Sequence, residues 1–249
     1  MRLAVVLLAA LLGLPPAFVP PPILMYHRVD ADHPRGRVAQ ELTVSPPEFA
    51  AQLAYLRARG IAAISMADLN RRLRAGQDLG HTVVLTFDDG YADQYRYAVP
   101  LLRRYGARAT FYIVTGNVGR RGHLSWDDLR AMVADGMDIA AHGVQHNDLS
   151  KMTRAQQTYQ VDDSVLALQQ RLHIAIDSYA YPAGRLDGDT LQVVHDSNVP
   201  LAVTTDAHYV IPPENRFELT RVRVRGNWGL TQFSNAIESA LTHARIVRS

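Results

Sequence analysis

The 249-residue chain contains no cysteine. Disulfides, thiolate nucleophiles, iron–sulfur clusters and cysteine-ligated zinc are thereby excluded, and any metal must be held by imidazole and carboxylate. Lysine is nearly absent as well: Lys151 is the single one, so arginine carries almost all the positive charge. The net charge is only +2 and no basic run dominates, which argues against nucleic acid as a partner. Low-complexity segments, linkers and internal repeats are also missing. With 47% hydrophobic and 20% charged residues, the chain is neither disordered, nor collagen-like, nor a polytopic membrane protein. Its length suffices to bury a sizeable core.

The N-terminus reads as an export signal. Met1-Arg2 precedes a twelve-residue apolar run, Leu3 to Leu14, and then Pro15 and Pro16. As a helix the run spans about 18 Å, short of a ~30 Å bilayer core. Ala17, Phe18 and Val19 would lengthen it, and no clean small-x-small cleavage site precedes Pro20-Pro21-Pro22. Residues 1–22 are therefore expected to be a signal peptide or an uncleaved membrane anchor, with a buried N-terminal helix as the alternative. The remaining chain, 23–249, would be one domain, monomeric by default. It would be periplasmic, secreted or tethered, facing outside the cytoplasm.

Past the prolines, strands and helices alternate. Ile23 to Tyr26 is a short buried strand delivering His27 to its end, and residues 30–45, polar with Pro34 and Gly36, read as a loop. Ser45-Pro46-Pro47-Glu48 opens a helix with serine at the cap, proline in the first turn and glutamate three residues on. Strands are expected at 61–64, 82–87, 109–114, 137–141, 178–181, 201–204 and 219–224. Helices are expected from 65 or 68 to 76 and at 94–105, 126–135, 153–172, 188–197 and 231–242. This pattern makes a single α/β domain with a parallel sheet, of a length that suits a closed (β/α) barrel, with its chemistry at the carboxyl ends of the strands.

Two such ends carry polar groups of interest. The β-branched run Thr82 to Phe87 ends in Asp88-Asp89-Gly90, and Met137 to Ala141 ends in His142-Gly143-Val144-Gln145-His146. Taken alone, the aspartates read first as a capping pair for the next helix, and the histidines equally as two unrelated surface residues. Taken together they form a device. Histidines four apart lie on one side of a helical turn and can share a metal. Two imidazoles and one carboxylate leave a coordination position open, and the second carboxylate is free to act as a base.

Thr86-Phe87-Asp88-Asp89-Gly90 with His142…His146 resembles the first two motifs of the polysaccharide deacetylases, the NodB-homology group of carbohydrate esterase family 4. The resemblance spans about residues 23–225. Leu24-Met25-Tyr26-His27-Arg28-Val29, Ser45-Pro46-Pro47-Glu48-Phe49, Ala109-Thr110-Phe111-Tyr112 and Ser125-Trp126 are similar to the branch acting on exported poly-N-acetylglucosamine. The resemblance implies a distorted (β/α) barrel and a metal-dependent hydrolase removing N-acetyl groups from an N-acetylglucosamine polymer. Asp88 would be the general base, and Asp89, His142 and His146 would hold one divalent ion, zinc foremost, with cobalt, nickel or iron as alternatives. Tyr181-Pro182-Ala183-Gly184 resembles the third motif, whose backbone N–H after the proline, here that of Ala183, helps hold the oxyanion. A plain Pro-Gly turn is the other reading of that stretch.

The sequence also departs from the family. The arginine that many members carry two residues before that proline, to orient the aspartate, is Ala180 here. Ala183 replaces an aromatic residue, and no late Leu-x-His motif supplies an acid, since Leu219-Thr220-Arg221 stands in that region. These departures keep open a glycan-binding protein without turnover; a separate alternative is an O-acetyl esterase using the same metal and base. His27 is the candidate acid for the departing amine, or else a hydrogen-bonding partner of a carboxylate. His208 is the reserve, while His33, His81 and His243 carry no motif. Trp126 could stack on a sugar or simply pack. Arg221, Arg223 and Arg225 alternate along a strand and are expected to form one solvated edge face.

Overall fold

The computed structural model describes residues 20–32, 34–205 and 215–248. The apolar run of the expected signal, His33 and His208 lie outside them. Among the described residues no helix is long and apolar enough to cross a membrane.

The strands follow the hydrophobic runs closely. They are β1 (Ile23–Tyr26), β2 (Arg28–Val29), β3 (Thr43–Val44), β4 (Ala62–Ile64), β5 (Thr82–Phe87), β6 (Thr110–Ile113), β7 (Asp138–Ala141), β8 (Ser178–Ala180), β9 (Leu201–Val203) and β10 (Val222–Arg223). The helices are α1 (Arg37–Leu42), α2 (Pro46–Ala58), α3 (Met66–Arg74), α4 (Val99–Tyr105), α5 (Trp126–Ala134), α6 (Arg154–Leu172), α7 (Gly188–Asp196) and α8 (Leu230–Arg248). A π-helical turn, Gln94–Ala98, leads into α4. Ser45 and Glu48 form the expected capping box of α2, and Ser65/Asp68, Ser125/Asp128 and Thr153/Gln156 do the same for α3, α5 and α6.

Eight strands form one parallel sheet in the order β10-β1-β5-β6-β7-β8-β9, with β4 also on β5. One edge of β5 is shared, its first half pairing with β4 and its last two residues with β6, which distorts the curl. Leu219 bridges to Val203 at one end of the sheet, and Val222–Arg223 pairs with β1 at the other. The segment from 219 to 224 thus spans the gap between the two ends. The arrangement is a distorted (β/α) barrel in one domain, as expected. The strand foreseen over 219–224 is reduced to two residues because the chain is crossing from one end to the other.

Alternation along the strands sorts side chains into two layers. Leu24, Val83, Leu85, Phe87, Phe111, Ile139 and Tyr179 face the helices in the larger cluster. Ile23, Val84, Tyr112, Ala140, Ala180, Leu201, Val203 and Leu219 fill the interior of the curl. The same alternation carries His27, Asp88 and His142 to the interior side at the strand ends.

The expected loop at 30–45 contains α1 and β3, the latter paired in parallel with β2. Six residues are too short to display a helical period, and α1 buries none of its side chains. It is held by the Arg37–Glu41 ion pair at 3.0 Å and by Thr43 Oγ1 donating to the Ala39 carbonyl at 2.8 Å.

Candidate active site

Asp88 and Asp89 close β5, and the backbone explains how adjacent carboxylates serve one place. On a continuing strand they would point to opposite faces. Asp89 instead adopts φ 75°, in the left-handed region, and Gly90 follows at φ 73°. The chain turns at Asp89 and leaves both carboxylates at the barrel mouth. A side chain held in that region costs about 1 kcal/mol or more. The capping alternative does not describe them: the helical segment that follows starts at Ala92, the Asp88 carboxylate accepts from Arg221, and Asp89 Oδ1 has no hydrogen-bond partner.

The histidines converge by a different route from the one their spacing suggests. Residues 142–148 form no helical turn. His142 continues β7 and is buried, Gly143 bends the chain at φ 82°, and His146 returns on a loop with a half-exposed side chain. Thr115 N–H donates to the Gly143 carbonyl at 3.0 Å, and Gly116 N–H to that of Val144 at 2.8 Å. Gln160 Oε1 accepts from Gln145 N–H at 2.8 Å. A Cβ at Gly116 would stand 2.5 Å from the Val144 carbonyl oxygen, so only glycine permits this approach.

Asp89, His142 and His146 each present a ligand atom within 4.8 Å of the others. Asp89 Oδ1 lies 3.6 Å from His142 Nε2 and 3.5 Å from His146 Nε2. It is buried and has no hydrogen-bond partner. Ligand atoms ~2.1 Å from one ion in tetrahedral array stand roughly 3.4 Å apart, so the three residues fit a shared divalent metal. His142 Nδ1 lies 2.7 Å from the Ala180 carbonyl, which makes it the protonated nitrogen and leaves Nε2 as the ligand atom. Burial lowers the His142 pKa, favouring the neutral imidazole that binds metal, although Asp88 and Asp89 pull the other way.

Asp88 is held by Arg221. Its Oδ1 accepts from Arg221 Nη1 at 2.7 Å and its Oδ2 from Nη2 at 2.8 Å, a two-pronged pair with both side chains buried. Arg221 Nε donates to the Thr204 carbonyl, Nη1 also reaches Thr86 Oγ1, and the guanidinium lies 5.6 Å from the Tyr112 ring centroid. Burial alone would raise the Asp88 carboxyl; the charges of Arg221, His142 and His27 outweigh it and hold the group well below the usual carboxylate range.

This overturns the expectation of a solvated arginine face: Arg221 is 1% exposed. Val222 and Val224 face the helical layer, so Arg221 and Arg223 face the barrel interior, and only Arg225 behaves as foreseen, exposed and paired with Glu41 at 2.7 Å. Alternation of arginine with valine announces a strand with two unlike faces. It cannot tell solvent from a polar barrel interior, and so Arg221 was not foreseen as a site residue.

Gln94, with no motif of its own, was missed as well. Its Nε2 donates to the carbonyls of His27 at 2.7 Å and Asp88 at 2.6 Å, tying the ends of β1 and β5 together. His27 is brought to the mouth; burial lowers its pKa, Asp88 and Asp89 oppose that, and Arg221 and Arg223 reinforce it.

The remaining candidates are placed as follows. Pro182 is buried, and Ala183 is exposed with φ 53°. Gly184 sits so close to Thr205 that a Cβ would come within 2.2 Å of its Oγ1. Tyr181 packs in the helix-facing layer, 5.6 Å from Tyr179 between ring centroids. Trp126 begins α5, packed against the outer core with the Arg171 guanidinium 5.4 Å from its ring centroid.

Residues 75–202 match the family described as Polysaccharide deacetylase. The chain belongs to that family. The deacetylase PplD of Streptococcus pyogenes, solved in complex with acetate, is 31% identical, with a TM-score of 0.80 over 88% of this chain and 97% of that one. The Bacillus subtilis (strain 168) protein YxkH is 29% identical over 88% of this chain and 76% of its own length. A poly-beta-1,6-N-acetyl-D-glucosamine N-deacetylase of Staphylococcus aureus is 23% identical over 73% of this chain and 68% of its own length. As a polysaccharide deacetylase, the chain is a hydrolase acting on acetyl groups of a polysaccharide.

Proposed function

We propose that the protein is an exported, metal-dependent N-deacetylase of an N-acetylglucosamine polymer. The observation that carries this reading is the pairing of a ligand set, Asp89, His142 and His146, with a second carboxylate, Asp88, fixed beside it by Arg221. A divalent metal at the ligand set would polarise the acetamide carbonyl and make water nucleophilic near neutral pH. Asp88 stays ionised and accepts the proton of the attacking water. The backbone N–H of Ala183 donates to the oxygen that develops negative charge. His27, at the same mouth, protonates the departing amine as the carbon–nitrogen bond breaks, leaving acetate and a free amino sugar.

The missing arginine at Ala180 and the missing late histidine are the two motives for a glycan binder without turnover. Arg221 supplies a guanidinium to the same aspartate from the position just before β10, which removes the first of these motives. Export rests on the N-terminal sequence pattern.

Acetate release from matched N-acetylated and O-acetylated β-1,6-linked oligomers tests the reading. Release from the N-acetylated series is expected; release from the O-acetylated series alone would make the protein an esterase.

A further inference from the structure

We infer that Arg223 forms a subsite for a carboxylate on a sugar flanking the one that is deacetylated. The inference rests on the proposed deacetylase reading and narrows its substrate to an acidic N-acetylated glycan.

Arg223 pairs with Met25 on β1, two residues before His27. It lies two residues after Arg221 and faces the same interior, one pleat, or roughly 6.6 Å, nearer the carboxyl ends of the strands. That places it at the mouth, where it lies within electrostatic reach of both Asp88 and His27. It is half-buried, and among the described residues it has neither a hydrogen-bond nor an ion-pair partner.

The surrounding charges make that vacancy informative. Asp88 is already taken by both prongs of Arg221. Glu41 is taken by Arg225 at 2.7 Å and Arg37 at 3.0 Å. Asp89 belongs to the ligand set. Among the described residues, the carboxylates that act on Arg223, Asp88 and Glu41, are thus committed, and its charge is surplus. Burial, with Arg221 and Arg225, presses the Arg223 pKa below the usual arginine value, so the site gains from an incoming anion. A guanidinium fork matches a single carboxylate in two-pronged geometry. With its neighbouring guanidiniums occupied, one fork suits a monoanion better than a phosphate dianion.

The test uses a tetrasaccharide of alternating N-acetylglucosamine and N-acetylmuramic acid, and the same molecule with its lactyl carboxyls methylated. Calorimetry on the full chain, metal-loaded, measures binding of each. The acid is expected to bind about ten-fold tighter than the ester, a preference that shrinks with added salt. Arg223→Gln should bring the two within about two-fold, Arg223→Lys should keep part of the preference, and Arg225→Gln should keep all of it. Equal binding of acid and ester by the natural chain, binding of neither at millimolar concentration, or a preference surviving Arg223→Gln would overturn the inference. Acetate release from the same acidic tetrasaccharide is scored separately. A chain that prefers the acid yet releases no acetate keeps the Arg223 subsite and loses the deacetylase reading.

Discussion

Arg221 grips Asp88 through two hydrogen bonds of 2.7 and 2.8 Å inside the barrel, 133 residues away along the chain. The pair orients the carboxylate, and it is also a fully buried ion pair whose halves depend on each other. Arg221→Met would strand a buried charge and is expected to cost about 3–5 kcal/mol of stability. Removing the charge as well, in Arg221→Met with Asp88→Asn, should recover most of that loss without restoring turnover. Urea denaturation of Arg221→Met, Asp88→Asn and the double variant checks the coupling; additive losses would show that the two residues act independently.

Asp89, His142 and His146 should act as one binding unit. Asp89→Ala or His142→Ala is expected to lower affinity for a divalent ion by at least about 100-fold, whereas Asp88→Asn should leave it within a few-fold. Metal titration followed by calorimetry measures this directly. A His142→Ala chain that binds metal as the natural one does would remove the residue from the ligand set.

Gly184 provides a steric check on the third motif. A methyl group there would meet Thr205 at both Oγ1 and the backbone nitrogen, in a backbone with φ 68°. Gly184→Ala is therefore expected to destabilise the fold by about 1–3 kcal/mol and to slow turnover by displacing Ala183. Thr205→Gly in the same chain should relieve part of both effects. No recovery in thermal denaturation or rate would mean that the clash is not the cause.

Most of the fold was legible because the relevant signals are local. Thr82 to Phe87 is apolar and β-branched over its full length, and the structure gives β5 those same bounds. Ser45, Pro46 and Glu48 mark the start of α2 chemically. The four residues Asp88, Asp89, His142 and His146 were legible from their positions at strand ends. How they meet was not, since the bend at Gly143 and the left-handed Asp89 depend on contacts made by Thr115, Gly116 and Gln160 from other segments. Arg221 was hidden for a related reason: the partner that buries it is distant in sequence.

Away from the mouth, Asp138 gives the fold a pH dependence of its own. Burial raises its pKa from 3.8 to about 6, helped by Asp177 and Asp68 and opposed by hydrogen bonds from Thr110 Oγ1 and Ala67 N–H. A raised carboxyl binds its proton more tightly in the folded chain than in the unfolded one. Its contribution to stability is therefore fully present below about pH 4 and is lost as pH rises towards 6, by roughly 3 kcal/mol in all. Both hydrogen bonds go to Oδ2, so the amide oxygen of Asp138→Asn can accept them. That variant should gain stability over the natural chain at pH 7 and little at pH 4. A constant difference across the range would contradict the assignment.

The most direct test of the account is acetate release from β-1,6-linked N-acetylglucosamine oligomers by the natural chain and by Asp88→Asn. Each is assayed after chelation and again after a divalent metal is restored, with bound metal quantified. The account predicts that the natural chain loses activity on chelation and regains it with metal, while Asp88→Asn binds the metal and turns over at least about 100-fold more slowly. Turnover by Asp88→Asn at the natural rate, or release untouched by removal of bound metal, would contradict it.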